Sequence, residues 1–251
     1  MSNFIHLLQL GRLPYAEGLA LQARVVAARK ANLIGDTLLL LEHPPVITLG
    51  RNSSRANVLA SGEFLAARNI ELHEINRGGD VTYHGPGQLV GYPIIDLRGD
   101  WPGKKGPGLK HLGPVDYVRL LEEVLIRTCG DFGVMTQRIP KRTGVWTIPG
   151  GSIQEKKVAA IGVHVSQGVT SHGFALNVTP DLRDFEWIIP CGITDRQVTS
   201  LELEADGGLQ PTMENALNST ARHFGRIFER QMLWCESLDE LLHPAGANDH
   251  E

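Results

Sequence analysis

Two stretches of the 251-residue sequence carry side chains suited to nucleophilic or acyl chemistry. The first is WIIPCGI, residues 187–193, in which one thiol, Cys191, stands between Pro190 and Gly192. Those neighbours disfavour a helix or strand through the cysteine, so the thiol is presented on a turn. A thiolate is a nucleophile, but a free cysteine is also a common small buried hydrophobe. The stretch alone leaves both readings open. The second is RGGDVTYHGPGQ, residues 77–88. Gly78, Gly79, Gly85 and Gly87, with Pro86, fit a pair of tight turns flanking a three-residue strand. They equally fit a ligand loop with free backbone N–H groups and with Arg77, Tyr83 and His84 as polar tips. It is not a phosphate loop: no GK[ST] follows, and Val90 stands where GxGxxG needs a glycine.

A third stretch, KKVAAIGVHV, opens an apolar run with two lysines. Adjacent residues of a strand point to opposite faces, so one of Lys156 and Lys157 faces solvent and the other the interior. A partly desolvated Lys157 wants an anionic partner or a depressed pKa. SHGFALNV places His172 after a turn and Asn177 in a strand, where a hydrogen-bonded core histidine and a strand-end asparagine are a commoner reading than a catalytic role. No HxxxH or HExxH spacing occurs, and no metal is expected. Cys129 shares a helical stripe with Val118, Leu121 and Leu125 and is read as core, and Cys235 is read as packing.

These groups need a scaffold, and the composition supplies an ordinary globular one: 42% hydrophobic and 21% charged, with a formal charge of −4. That balance argues against a broad nucleic-acid surface. No apolar run reaches the ~18 residues of a membrane span, and the first residues lack the pattern of a secretory signal. Three dispersed cysteines without CxxC fit a reducing, cytoplasmic setting and no disulfide framework.

Periodicity predicts strands at 3–10, 37–42, 46–49, 70–76, 87–97, 157–165 and 168–178. Helices are predicted at 15–31, 61–68, 114–128 and 212–230, with Pro114 opening the third and Gly130 stopping it. Ser-Gln-Gly joins the last two strands as a hairpin. The expected class is α+β, a mixed and largely antiparallel sheet flanked by helices, in one domain over 1–240 with a disordered tail at 241–251.

Taken jointly, RGGDVTYHGPGQLVGYPIIDL, EHPPVITLGR, KVAAIGVHV, HGFALNV and PCGI resemble the motifs of the lipoyl(octanoyl)transferases. These share a fold with the biotin and lipoate protein ligases, and the resemblance runs from about residue 3 to residue 230. It implies a Cys191 acyl-thioester nucleophile and a Lys157 that lowers its pKa. It implies a substrate cradle of Arg77, Gly78, Gly79, Asp80, Val81, Thr82, Tyr83 and His84, with Ala160, Ile161 and Gly162, and Gly173, Phe174 and Ala175, as the other walls. The implied donor is octanoyl-acyl carrier protein. The implied acceptors are lipoyl domains of 2-oxoacid dehydrogenase complexes and the glycine cleavage H protein. No cofactor, nucleic acid or membrane is implied, and a monomer is expected. His164 stands where relatives often carry arginine, and the Lys104-Lys105 insert is longer than in some members.

The implied pair makes chemical sense. A free thiol of pKa ~8.5 is only a few per cent thiolate at neutral pH. An ammonium ~4 Å away attracts a thiolate by up to ~4 kcal/mol at an effective dielectric of ~20. A third of that moves the thiol about one unit, to roughly 7.5. An ATP-dependent ligase on the same fold would need no thiol, and a cysteine hydrolase pairing Cys191 with His172 would lack an evident third member. A binding module with three structural cysteines is the remaining alternative.

Overall fold

The computed structural model describes residues 3–99, 101, 111–148, 154–189 and 197–242. In chain order the elements are β1 (Phe4–Arg12), α1 (Tyr15–Lys30), β2 (Asp36–Glu42), β3 (Val46–Leu49), α2 (Gly62–Ala67), β4 (Glu71–Glu74), β5 (Val81–His84) and β6 (Gln88–Ile94). They continue with α3 (Pro114–Asp131), β7 (Thr136–Ile139), β8 (Arg142–Thr147), β9 (Lys157–Ser166), β10 (Val169–Asn177), α4 (Leu201–Glu204), α5 (Met213–Phe228), β11 (Gln231–Cys235) and α6 (Leu238–Leu242). Eight strands form one mixed sheet in the order β11-β1-β2-β6-β10-β9-β8-β7, and β4-β3-β5 form a second. Only the β1–β11 and β1–β2 ladders of the large sheet are parallel. The class is α+β, as expected.

The four leucines of DTLLLLE show why the large sheet is a central layer. Leu38 and Leu40 pack with Tyr117, Leu121, Leu125, Phe224 and Phe228 of α3 and α5. Leu39 and Leu41 point the other way, toward Val25 and Ala28 of α1. A strand buried on both faces reads as a continuous apolar run rather than an alternating one. The small sheet has its own core of Ile47, Leu49, Val81 and Tyr83, closed by Phe185 and Ile188. It stands over the face of β9 and β10, and the gap between the two sheets is where the candidate site lies.

The structure departs from the sequence reading at several places. Helix α3 runs through Gly130 and stops at Gly133, whose φ of +75° ends it while Val134 N–H returns to the Cys129 carbonyl. The β7–β8 hairpin, absent from the sequence reading, turns on Pro140-Lys141 with Ile139 opposite Arg142. Lys141 takes φ +65°, a position where turn rules would look for glycine or asparagine. Strand β11 is an edge strand in parallel register with β1, Trp234 opposite Leu7. Cys129 is fully buried, and burial pushes its thiol up to about 12. Cys235 is half-buried and packs against the α1-side core, as read from the sequence, with its sulfur 3.4 Å from His6 Nδ1. Leu241, in α6, is buried against the α1-side core.

Candidate active site

A cavity of about 410 Å³ opens between the small sheet and the β9–β10 face, within the size range of small-molecule sites. Its floor is nearly free of side chains. Across the β9–β10 ladder, Gly162 stands opposite Gly173 and Ala160 opposite Ala175, and all four border the cavity. Ile161 and Phe174, also paired, border it too, but their side chains pack into the α3–α5 core. Period-2 alternation has put the small residues on one face and the large ones on the other. The result is a flat tray.

The glycine-rich segment forms the facing wall. Gly78 N–H donates to Val163 O at 2.9 Å, and Arg51 N–H to Arg77 O at 3.0 Å, so the loop is clamped between β9 and the chain after β3. Gly162 permits this approach: a Cβ there would lie 2.8 Å from Gly78 O and 3.1 Å from Arg77 Cδ. Arg77 is buried, and its guanidinium donates to the Thr48 carbonyl at 2.9 Å and hydroxyl at 2.8 Å. Arg77, Gly79, Asp80, Val81, Thr82 and His84 border the cavity, whereas Gly78 and Tyr83 do not. Tyr83 lies in the small sheet's own core and donates its hydroxyl to Asp184 at 2.5 Å. It is therefore not one of the polar tips read from the sequence. Nor are all the loop amides free, because Gly78 N–H is taken by Val163 and Gly87 N–H by the Glu42 carboxylate at 2.7 Å.

Lys157 enters at one end of the tray. It is 9% exposed, and its ammonium stands 4.7 Å from the centroid of the Trp146 ring, which offers a cation–π contact. Its backbone is fixed on both sides, with N–H to Gln197 O and the carbonyl accepting from Thr199 N–H, each at 2.9 Å. Asn177, on the same cavity wall, donates to the Thr199 carbonyl at 2.8 Å and braces that segment. Lys156 turns outward to Glu204 at 3.0 Å, the opposite-face arrangement expected of adjacent strand residues. Cys191 lies outside the described residues. The chain leaves them at Ile189 and returns at Gln197, the residue that takes the Lys157 amide.

The other end is built of aromatic and imidazole rings. Tyr15 and His84 stack with centroids 6.2 Å apart, and Tyr92 donates to His43 Nε2 at 2.7 Å while His43 Nδ1–H serves the Leu13 carbonyl. His84 is held as a neutral ring, lowered to about 3 by burial and by the neighbouring His43 and Arg77. The Gln88 amide donates to Tyr83 O, so its oxygen accepts His84 Nδ1–H at 3.1 Å and leaves Nε2 as an acceptor. His172, at φ +54°, is lowered to about 4 by burial and Arg77, and bonds Asn76 Oδ1 at 2.7 Å. The sequence reading missed Tyr15, Gln88, Tyr92 and Trp146. The alternation Gln88, Val90, Tyr92 along β6 was the available signal, because all three border one face.

The lipoyl protein ligase A/B catalytic domain model matches residues 14–225. The chain belongs to that family. The chain is 66% identical over 239 residues to an octanoyltransferase of Acidobacterium capsulatum, covering 95% of this chain and 96% of that one. It is 53% identical to an octanoyltransferase of Koribacter versatilis, covering 95% and 90% of the two chains. With such relatives over nearly its whole length, the chain is an acyltransferase of this family. Among solved structures, the fold matches the bi-partite lipoate protein ligase of Thermoplasma acidophilum with a TM-score of 0.66 at 16% identity, over 92% of this chain and 86% of that one. A lipoate-protein ligase A solved with ATP gives 0.66 at 15%, over 94% and 89%. At those identities the likeness speaks for the fold. No helix among the described residues is long and apolar enough to cross a membrane, and no cluster there is suited to a metal ion.

Proposed function

We propose that the chain transfers an octanoyl group from octanoyl-acyl carrier protein to the lysine amine of a lipoyl domain, through a thioester on Cys191. The observation that carries this is the buried Lys157 at one end of a tray floored by Ala160, Gly162, Gly173 and Ala175, which leaves room for an extended acyl chain. The octanoyl chain lies along Ala160, Ala175 and Gly162, with its tail toward Tyr15 and Tyr92. Burying its methylenes there stabilises the complex by about 0.8 kcal/mol each. In the first half-reaction the Cys191 sulfur bonds the acyl carbon, the donor's C–S bond breaks, and the departing thiol takes up the proton Cys191 lost. In the second, the acceptor amine forms the C–N bond, the Cys191 C–S bond breaks, and the amine proton returns to that sulfur. In this reading Lys157 is the cation that stabilises the thiolate and relays both protons.

One thioester replaces another in the first step, so no ATP is needed. Incubation with octanoyl-acyl carrier protein and an unmodified lipoyl domain should give the octanoyl-amide without nucleotide. Product formed only from free octanoate and ATP would overturn the reading in favour of a ligase.

A further inference from the structure

The cavity has two chemically unlike ends, and the one at Lys157 extends past that residue. There the wall is the tip of the β7–β8 hairpin, which brings Lys141, Arg142 and Thr143 to the rim. The hairpin and the lysine form one unit. Trp146 Nε1 donates to Arg142 O at 3.2 Å while the same indole faces the Lys157 ammonium. A Cβ on Gly144 would lie 3.4 Å from Lys157 Cε. Lys141 is held at φ +65°, a costly conformation for a residue with a side chain, and that conformation belongs to the turn carrying it at the rim. Its ammonium has no hydrogen-bond or ion-pair partner among the described residues. Neither cation is needed by an uncharged acyl chain lying inward on the tray.

The geometry points to a phosphate subsite at this rim: Lys141 and Arg142, with the Thr143 hydroxyl, receive the phosphate of the pantetheine arm that presents the donor thioester. This rests on the thioester donor proposed above. If the acyl chain points inward from Lys157, the arm must leave outward past the hairpin. About thirteen chain bonds separate thioester sulfur from phosphorus, roughly 15 Å at the ~3.5 Å per three bonds of an extended chain. Lys141, in the turn just before β8, precedes Gly144 by three residues, at most about 10 Å of chain, and its side chain supplies the remaining reach. The phosphate is the only formal charge on the arm, and paired cations hold a phosphate by charge-assisted hydrogen bonds. On a chain of formal charge −4, they also give the rim a local attraction for the donor that the molecule as a whole lacks.

The test compares octanoyl-4′-phosphopantetheine with octanoyl-pantetheine, which lacks the phosphate, as donors to the full chain, with acyl-enzyme formation followed by mass spectrometry. The wild type should reach half-saturation with the phosphorylated donor at about tenfold lower concentration. That ratio should collapse toward one in Lys141→Ala and in Arg142→Ala, with Arg142→Lys retaining part of it. A ratio taken within one protein cancels any loss of folded enzyme. Absence of discrimination in the wild type, or full discrimination in both alanine variants, would overturn the subsite and leave the transfer reading intact. Failure of both donors to acylate the protein would overturn the transfer reading, and the subsite with it.

Discussion

Lys157 and the two histidines illustrate opposite uses of burial. The ammonium is kept in a buried place against an indole ring, where the proposed thiolate would be its natural counter-charge. Lys157→Met keeps the stem and removes the charge, and it should slow acylation by about 10²–10⁴-fold, the range of a lost acid–base group. Circular dichroism and a urea midpoint near the wild-type value would show that the fold survives. His84 and His172 are instead held neutral, lowered to about 3 and about 4 from 6.5. The unfolded chain therefore takes up protons before the folded one as pH falls. Stability should be full above pH 6.5 and decline between there and about 4, by at most about 1.4 kcal/mol per pH unit for each ring. Urea midpoints from pH 7 to 4 check this, and His84→Gln should flatten the slope. A wild-type midpoint that does not move over that range would contradict it.

At the scale of elements, the β9–β10 ladder makes the cavity and the β7–β8 hairpin sets its rim. Gly162→Ala should drive the Arg77-Gly78 backbone off the tray, since the new Cβ meets Gly78 O at 2.8 Å. Overpacking of this kind costs about 1–3 kcal/mol, and acylation should fall by more than the loss of folded protein explains. Glu122 anchors the hairpin from below. It is fully buried and accepts from Arg119 at 2.6 Å and from Gly144 N–H at 3.2 Å, and its carboxylate lies 3.2 Å from Arg138. Glu122→Ala should destabilise by about 1–3 kcal/mol, because it leaves the buried Gly144 amide without its acceptor while the partly exposed Arg119 and Arg138 can turn to solvent; a urea midpoint reads this. Most of the ladder was legible in the sequence, because KVAAIGVHV and GVTSHGFALNV alternate small and large residues around a Ser-Gln-Gly turn. The hairpin was not legible, because Pro-Lys is a poor signature for its turn and a left-handed position is usually marked by glycine or asparagine rather than lysine. Tyr83 was misread for a related reason. A tyrosine in a glycine-rich loop looks like a tip until the pleat turns it into the small sheet's core.

Across the whole molecule, the family motifs in this sequence lie far apart in the chain, and the fold brings most of them to one cavity. Arg77, Gly79, Asp80, Val81, Thr82 and His84 come from β5 of the small sheet and the loop before it, Lys157, Ala160 to Gly162 and Gly173 to Ala175 from the large sheet, and Tyr15 from the first helix. Composition and periodicity indicated the α+β class, but which residues meet across the gap between the sheets depends on register and could not be read from spacing. Cys191 lies outside the described residues, so its partnership with Lys157 is the point on which the account stands or falls. The direct measurement is mass spectrometry of peptides from the full chain after incubation with octanoyl-acyl carrier protein, followed by addition of a lipoyl domain. The account predicts an octanoyl thioester on Cys191, absent in Cys191→Ala, that disappears as the octanoyl-amide forms on the acceptor. Transfer to the lipoyl domain by the Cys191→Ala protein at the wild-type rate would contradict it.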